Sequence, residues 1–148
     1  MIASPEKSRL SALERLEAAL GRIQSPEGEG GTAFTEVFSE SARLEAEASD
    51  RRAAAGSMRS PLDGCIVSVK DLFDVAGKVT GAGSAVLRQL PAATKDAAIL
   101  RHLHAAGAVI IGKTQMTEFA FSALGTNPHD GVPGHPRDRK RVPGGSSS

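Results

Sequence analysis

Two short segments carry the side chains with the clearest chemical capacity. Val67-Ser68-Val69-Lys70-Asp71 delivers a lysine at the tip of an apolar run, and Pro143-Gly144-Gly145-Ser146-Ser147-Ser148 leads a Gly-Gly turn into consecutive hydroxyls. An amine serves as a general base only when neutral, which requires desolvation or a nearby cation to lower its pKa. An apolar strand ending in Lys70 is one way to bury such an amine. The plainer reading is a strand-end lysine that reaches solvent with Asp71 beside it as partner, since most lysines are solvated. In the second segment, paired glycines open backbone angles closed to other residues and let the backbone approach another group closely. Hydroxyls placed directly after such a turn can relay protons or donate hydrogen bonds from a fixed position. A flexible Gly/Ser linker is the ordinary meaning of such a run. A phosphate-cradling loop fits poorly, because no GxxxxGK[ST] pattern is present and Lys113 is far away in sequence. Read locally, both segments keep their plain alternatives.

Other reactive side chains offer less. Cys65 reads as a buried apolar strand residue, with no oriented histidine to activate it. His102 and His104 are two positions apart on a predicted helix and so point to different faces, which argues against a shared metal. His129 and His135, with Asp130 and Asp138, lie in a loop where a metal cluster is a remote alternative.

The elements that must position these groups follow from periodicity. Ser4-Pro5-Glu6 has the composition of a helix start, and Leu10, Leu13, Leu16, Leu20 and Ile23 then form one apolar stripe. The segment QSPEGEGG over 24–31 breaks it. Thr32-Ala33-Phe34 reads as a short extended piece. A second helix is predicted over 36–55, with Val37, Phe38, Leu44 and Ala48 inward and Gly56 just past its end. Cys65-Ile66-Val67-Ser68-Val69 reads as a strand, followed by a loop over 71–77 anchored by Leu72 and Phe73. A glycine-rich loop (Thr80-Gly81-Ala82-Gly83-Ser84) leads to a helical turn at 85–89. A helix over 96–106 is capped by Gly107 and feeds the apolar strand Ala108-Val109-Ile110-Ile111. Residues 113–121 read as a further helix and 126–141 as a proline-containing loop. The strand–loop–helix–strand order predicts an α/β unit.

Composition sets bounds on partners. The chain has 148 residues, 40% hydrophobic and 24% charged, which suits one soluble domain. The formal net charge of +1 provides no global field for nucleic acid or anionic membrane. Aromatic residues are 3%, all Phe, too few for a base-stacking platform. The single cysteine allows no intrachain disulfide. No apolar run has membrane-spanning length, and MIASPEKSRL lacks a signal-peptide h-region. The expected location is cytoplasmic.

The order of motifs adds a resemblance. PLDGCIVSVKDLFDVAGKVTGAGS, GAVIIGKTQMTEFAFSALGTNPHDG and RVPGGSSS resemble, in sequence order, the strand–lysine–loop, the GKT-x-x-x-EFA stretch followed by Asn-Pro, and the PGGSS start of the amidase signature family. They cover about residues 61–148. The resemblance implies an α/β fold, the N-terminal and incomplete part of the amidase signature fold, with a mixed sheet flanked by helices. It divides the chain into a helical segment over 1–59 and the start of the signature domain over 60–148. It implies a Ser–Ser–Lys triad in which Lys70 is the base and Ser146 the bridging serine, preceded by a cis peptide bond. Phe119, Ala120 and Phe121 would line the acyl pocket. The nucleophilic serine would lie downstream of Ser148, so the isolated chain is expected to be inactive. The implied cofactors and metals are none. The implied partners are a small-molecule amide substrate, no nucleic acid directly and no membrane, with a homodimer left open. Two parents fit, an amide hydrolase and the amidase subunit of a tRNA-dependent amidotransferase. A third alternative is a non-catalytic remnant or partner-binding piece.

Overall fold

The computed structural model describes residues 10–135 and 137–147. Three strands form a mixed sheet in the order β1-β3-β2, where β1 is Phe34–Val37, β2 is Ile66–Lys70 and β3 is Val109–Thr114. The central strand β3 runs antiparallel to β1 and parallel to β2. Its side chains alternate between two cores. Val109 and Ile111 join Leu16 and Leu20 of helix α1 (Ala12–Gln24) and Ala42 and Ala46 of helix α3 (Ser39–Ala54). Ile110 faces the other way, onto Phe38, Val69 and Leu100, the last from helix α4 (Ala98–Ala106). A strand covered on both faces reads as a continuous apolar run, which is why 108–111 is apolar throughout. A short helix α2 (Gly30–Ala33) joins α1 to β1.

Local signals explain most boundaries. Ser11 caps α1: its hydroxyl accepts from the Glu14 N–H at 3.1 Å, while the Glu14 carboxylate accepts from the Ser11 N–H at 2.7 Å. Asp50 of α3 takes two more first-turn donors, Ala12 N–H and Leu13 N–H. The helix therefore starts at Ala12. Ser4 and Pro5, where the sequence suggested a start, lie outside the described residues, and Leu10 is exposed. α4 begins at Ala98, with Ala97 as its N-cap, and ends at Gly107 in the left-handed region (φ 88°). Gly56, just past α3, has φ 66°, in keeping with its expected place beyond that helix.

The structure departs from four sequence expectations. The first residues of the helix expected over 36–55 belong to β1 and its exit, where Phe38 N–H donates to Ile111 C=O at 2.8 Å. Within α3 the buried face is Ala42, Ala46 and Ser49, which leaves Leu44 outside. Leu72 and Phe73, expected as the anchor of the loop over 71–77, are 43% and 38% exposed and belong to neither core cluster. Residues 113–121 form no helix. Lys113 and Thr114 still pair with both neighbouring strands, and Gln115 N–H donates to Ala33 C=O. Only Glu118–Ala120 closes a 3-10 turn. Helix propensity is a weak prior once strand partners are available.

Candidate active site

Lys70 is the last residue of β2, at the carboxyl end of the parallel strand pair, paired in register with Thr114. Carboxyl ends of parallel strands are where open α/β sheets place their ligands. The Lys70 side-chain nitrogen Nζ lies 2.5 Å from Ser146 Oγ, across 76 positions of sequence, and both residues are half-buried. The Gly145–Ser146 peptide is cis. An amine at this distance from a hydroxyl can exchange a proton with it directly. Sequence reasoning singled out Lys70 and Ser146, and the structure brings them together.

Backbone contacts hold Ser146 in place. Thr117 N–H donates to Ser146 C=O at 3.0 Å, Met116 and Ser147 form an isolated antiparallel bridge, and Gly145 N–H donates to Ala123 C=O at 2.8 Å. Gly145 is required by this crowding, whereas a Cβ on Gly144 would meet nothing within 4 Å. A Cβ on Gly145 would sit 2.6 Å from Gly125 N and from Ser122 O.

Asp71 does not partner Lys70. Its carboxylate takes Lys113 Nζ at 2.6 Å, with side-chain exposures of 8% and 1%, and also accepts from Gly81 N–H at 3.3 Å. Lys113 donates further to Val79 C=O at 2.9 Å. Among the described residues no carboxylate lies within ion-pair reach of Lys70. Two lysines therefore leave neighbouring strands in opposite roles. One closes a buried ion pair, and the other meets a hydroxyl.

Phe119 and Ala120 lie in the 3-10 turn Glu118–Ala120 that follows Thr117, and Phe121 is the residue that caps it. Phe119 (φ 51°) and Ala120 (φ 59°) occupy the left-handed region, as does buried Ala82 (φ 48°), whose C=O accepts from Phe119 N–H at 2.9 Å. Such conformations in residues other than glycine cluster at ligand and active sites. Phe119 is exposed, and Phe121 is 94% exposed.

His104 lies 3.3 Å from Glu45, and His129 lies 3.6 Å from Glu118. Among the described residues no group of three or more His, Cys, Asp or Glu is arranged to hold a metal ion.

Sequence reasoning missed Lys113 with Asp71, and Asn127. The GKT triplet at the end of a second apolar strand repeats the form of SVKD, which was a usable signal for the first. Asn127, fully buried in the predicted loop, gave none beyond its Asn-Pro motif.

Comparison with known proteins gives the family. The Amidase family model matches residues 14–148. The chain is 47% identical over 139 residues to a glutamyl-tRNA(Gln) amidotransferase subunit of Anaeromyxobacter dehalogenans, covering 93% of the chain and 28% of that protein. It is 44% identical to AtzE, part of the 1-carboxybiuret hydrolase of Pseudomonas sp. strain ADP, covering 94% and 30%. Among solved structures, one described as a vestigial protein complex revealing the origins of an s-triazine catabolic enzyme superposes with a TM-score of 0.87 at 44% identity, covering 94% and 30%. The native peptide amidase of Stenotrophomonas maltophilia superposes with a TM-score of 0.80 at 32% identity, covering 93% and 29%. The chain spans about 30% of the length of these relatives. With the Amidase model matched over nearly the whole chain, and relatives alike in sequence and fold, the chain belongs to the amidase signature family.

Proposed function

We propose that this chain contributes Lys70 and Ser146 to a Ser–Ser–Lys site that hydrolyses a carboxamide through an acyl-enzyme. The observation that carries the reading is the 2.5 Å approach of Lys70 Nζ to Ser146 Oγ. Lys70 takes the Ser146 hydroxyl proton while Ser146 takes the proton of a nucleophilic serine, supplied by sequence downstream of Ser148 in the full-length protein. That serine oxygen bonds the amide carbonyl carbon, and the C–N bond breaks as the relayed proton passes back through Ser146 to the leaving amine. Water then cleaves the acyl ester. The nucleophile, base and orienter logic is that of a hydrolytic triad with lysine as base. Phe119, Ala120 and Phe121 line the acyl side of the substrate. The lone Cys65 suits a reducing, cytoplasmic setting.

The 47% identity to an amidotransferase subunit supports a second reading, in which the amide is glutamine and the released ammonia passes to a partner protein. The two readings differ in substrate and share the site. A serine-directed fluorophosphonate probe on the full-length protein tests both. Covalent labelling of one serine that disappears in Lys70→Ala supports the site. Equal labelling with and without Lys70 overturns it. Release of ammonia from free glutamine, set against other carboxamides, separates the two substrates.

A further inference from the structure

Asn127 is 1% exposed, and its side chain satisfies all of its hydrogen-bonding capacity. Nδ2 donates to Gly83 C=O and to Met116 C=O, both at 2.8 Å. Oδ1 accepts from His129 N–H at 2.8 Å and from Asp130 N–H at 3.3 Å. The two carbonyls belong to different arms of the site. Gly83 lies in the loop that returns to the residue after Lys70, where Ala82 N–H donates to Asp71 C=O at 2.8 Å and Gly81 N–H reaches the Asp71 carboxylate. Met116 carries the bridge to Ser147, and its neighbour Thr117 holds the Ser146 carbonyl. One buried amide thus ties the arm that carries the base to the arm that carries the bridging serine. The fit leaves no slack, since a Cβ on Gly83 would lie 2.7 Å from both Asn127 Nδ2 and Met116 O.

We propose that Asn127 is a positioning residue that fixes the Lys70–Ser146 separation, acting through Ser146 and touching neither the amine nor the substrate. A proton relay through a hydroxyl depends on reach, and a misplacement of about 1 Å costs on the order of 100-fold in rate. The inference rests on the proposed Ser–Ser–Lys site. It goes further in assigning a role to a residue outside that site.

The test uses the full-length protein and a double-mutant cycle of Asn127→Ser with Ser146→Ala, read on the residual amide turnover, with Lys70→Ala as a separate arm. Asn127→Ser keeps a buried hydroxyl but cannot span both carbonyls. The expected result is a fall in kcat of about 100-fold with KM nearly unchanged, and no further loss when Asn127→Ser is added to Ser146→Ala. Residues that act as one unit are non-additive, whereas a general loss of fold adds independently. An unchanged kcat, or a full additional loss in the Ser146→Ala background, overturns the proposal. Asn127→Ala provides a second variant. If neither Asn127 variant folds, the asparagine serves the fold at large and the positioning role is wrong. Turnover surviving in Lys70→Ala would instead sink the underlying site, whatever the Asn127 variants do.

Discussion

Lys70 and Lys113 leave the carboxyl ends of adjacent parallel strands, and Asp71 accepts only one of them. The Lys113–Asp71 pair is almost fully buried, so removing one partner strands the other charge away from water. Lys113→Met is expected to destabilise the protein by about 3–5 kcal/mol in denaturant unfolding. Arg43→Ala, which breaks a solvent-facing pair with Glu17, should cost far less, because water and salt screen an exposed pair. Similar losses for the two would contradict the burial argument. Asp63 gives a second prediction. The Arg52 guanidinium, with help from the Arg59 N–H, holds its carboxyl well below the usual 3.8, against the opposing effect of burial. A depressed folded pKa means that the unfolded chain binds the extra proton. The stabilisation is therefore complete above about pH 3.8 and is lost as pH falls further. Glu45 works in the opposite direction. Burial raises its pKa from 4.5, so the folded state loses stability as pH rises through that raised value. Thermal midpoints measured from pH 2 to 7 should show a weaker acid slope in Asp63→Asn than in the unsubstituted protein, and an unchanged slope would exclude the Arg52 pairing as its source. Lys70 and Ser146 were legible only through the order of the three motifs that resemble the amidase signature, since each segment read locally kept a plain alternative. Which lysine Asp71 would choose depends on strand adjacency, which no local pattern records.

At the scale of elements, β2, α4 and β3 follow directly from an apolar run, an amphipathic stripe and a capping glycine. The stretch after β3 does not. Its helical-looking composition loses to partners that arrive from residues 33–37 and 146–147, distant in sequence and invisible to a local window. The same non-local logic makes certain glycines irreplaceable. Gly107 ends α4 at φ 88°, and a Cβ there would lie 2.5 Å from the Asp63 carboxyl carbon. Gly107→Ala therefore combines left-handed strain of about 1 kcal/mol with displacement of a buried ion pair. It should lower the thermal midpoint far more than Gly21→Ala, where a Cβ meets nothing within 4 Å. At the start of α1, Ser11→Ala removes half of the capping box and should cost about 1 kcal/mol. Equal midpoints for Gly107→Ala and Gly21→Ala would contradict the placement of α4 against Asp63.

For the molecule as a whole, the described residues leave Phe119, Phe121, Leu124 and Val142 exposed near the site, and β1 and β2 each have an edge unpaired in this three-stranded sheet. Apolar patches and bare strand edges promote association. The 148-residue chain expressed alone should bind a hydrophobic dye and unfold over a broad range, whereas a sharp, dye-free transition would show that these surfaces are not sticky. Function rests on a narrower claim, that the half-buried lysine at the end of β2 removes a proton through Ser146. Amide turnover by full-length Lys70→Ala tests that claim most directly. We expect kcat to fall by at least about 100-fold, the lower end of what a general base contributes, with substrate binding retained. Turnover within a few-fold of the unsubstituted protein would mean that the 2.5 Å contact between Lys70 and Ser146 has no part in the chemistry.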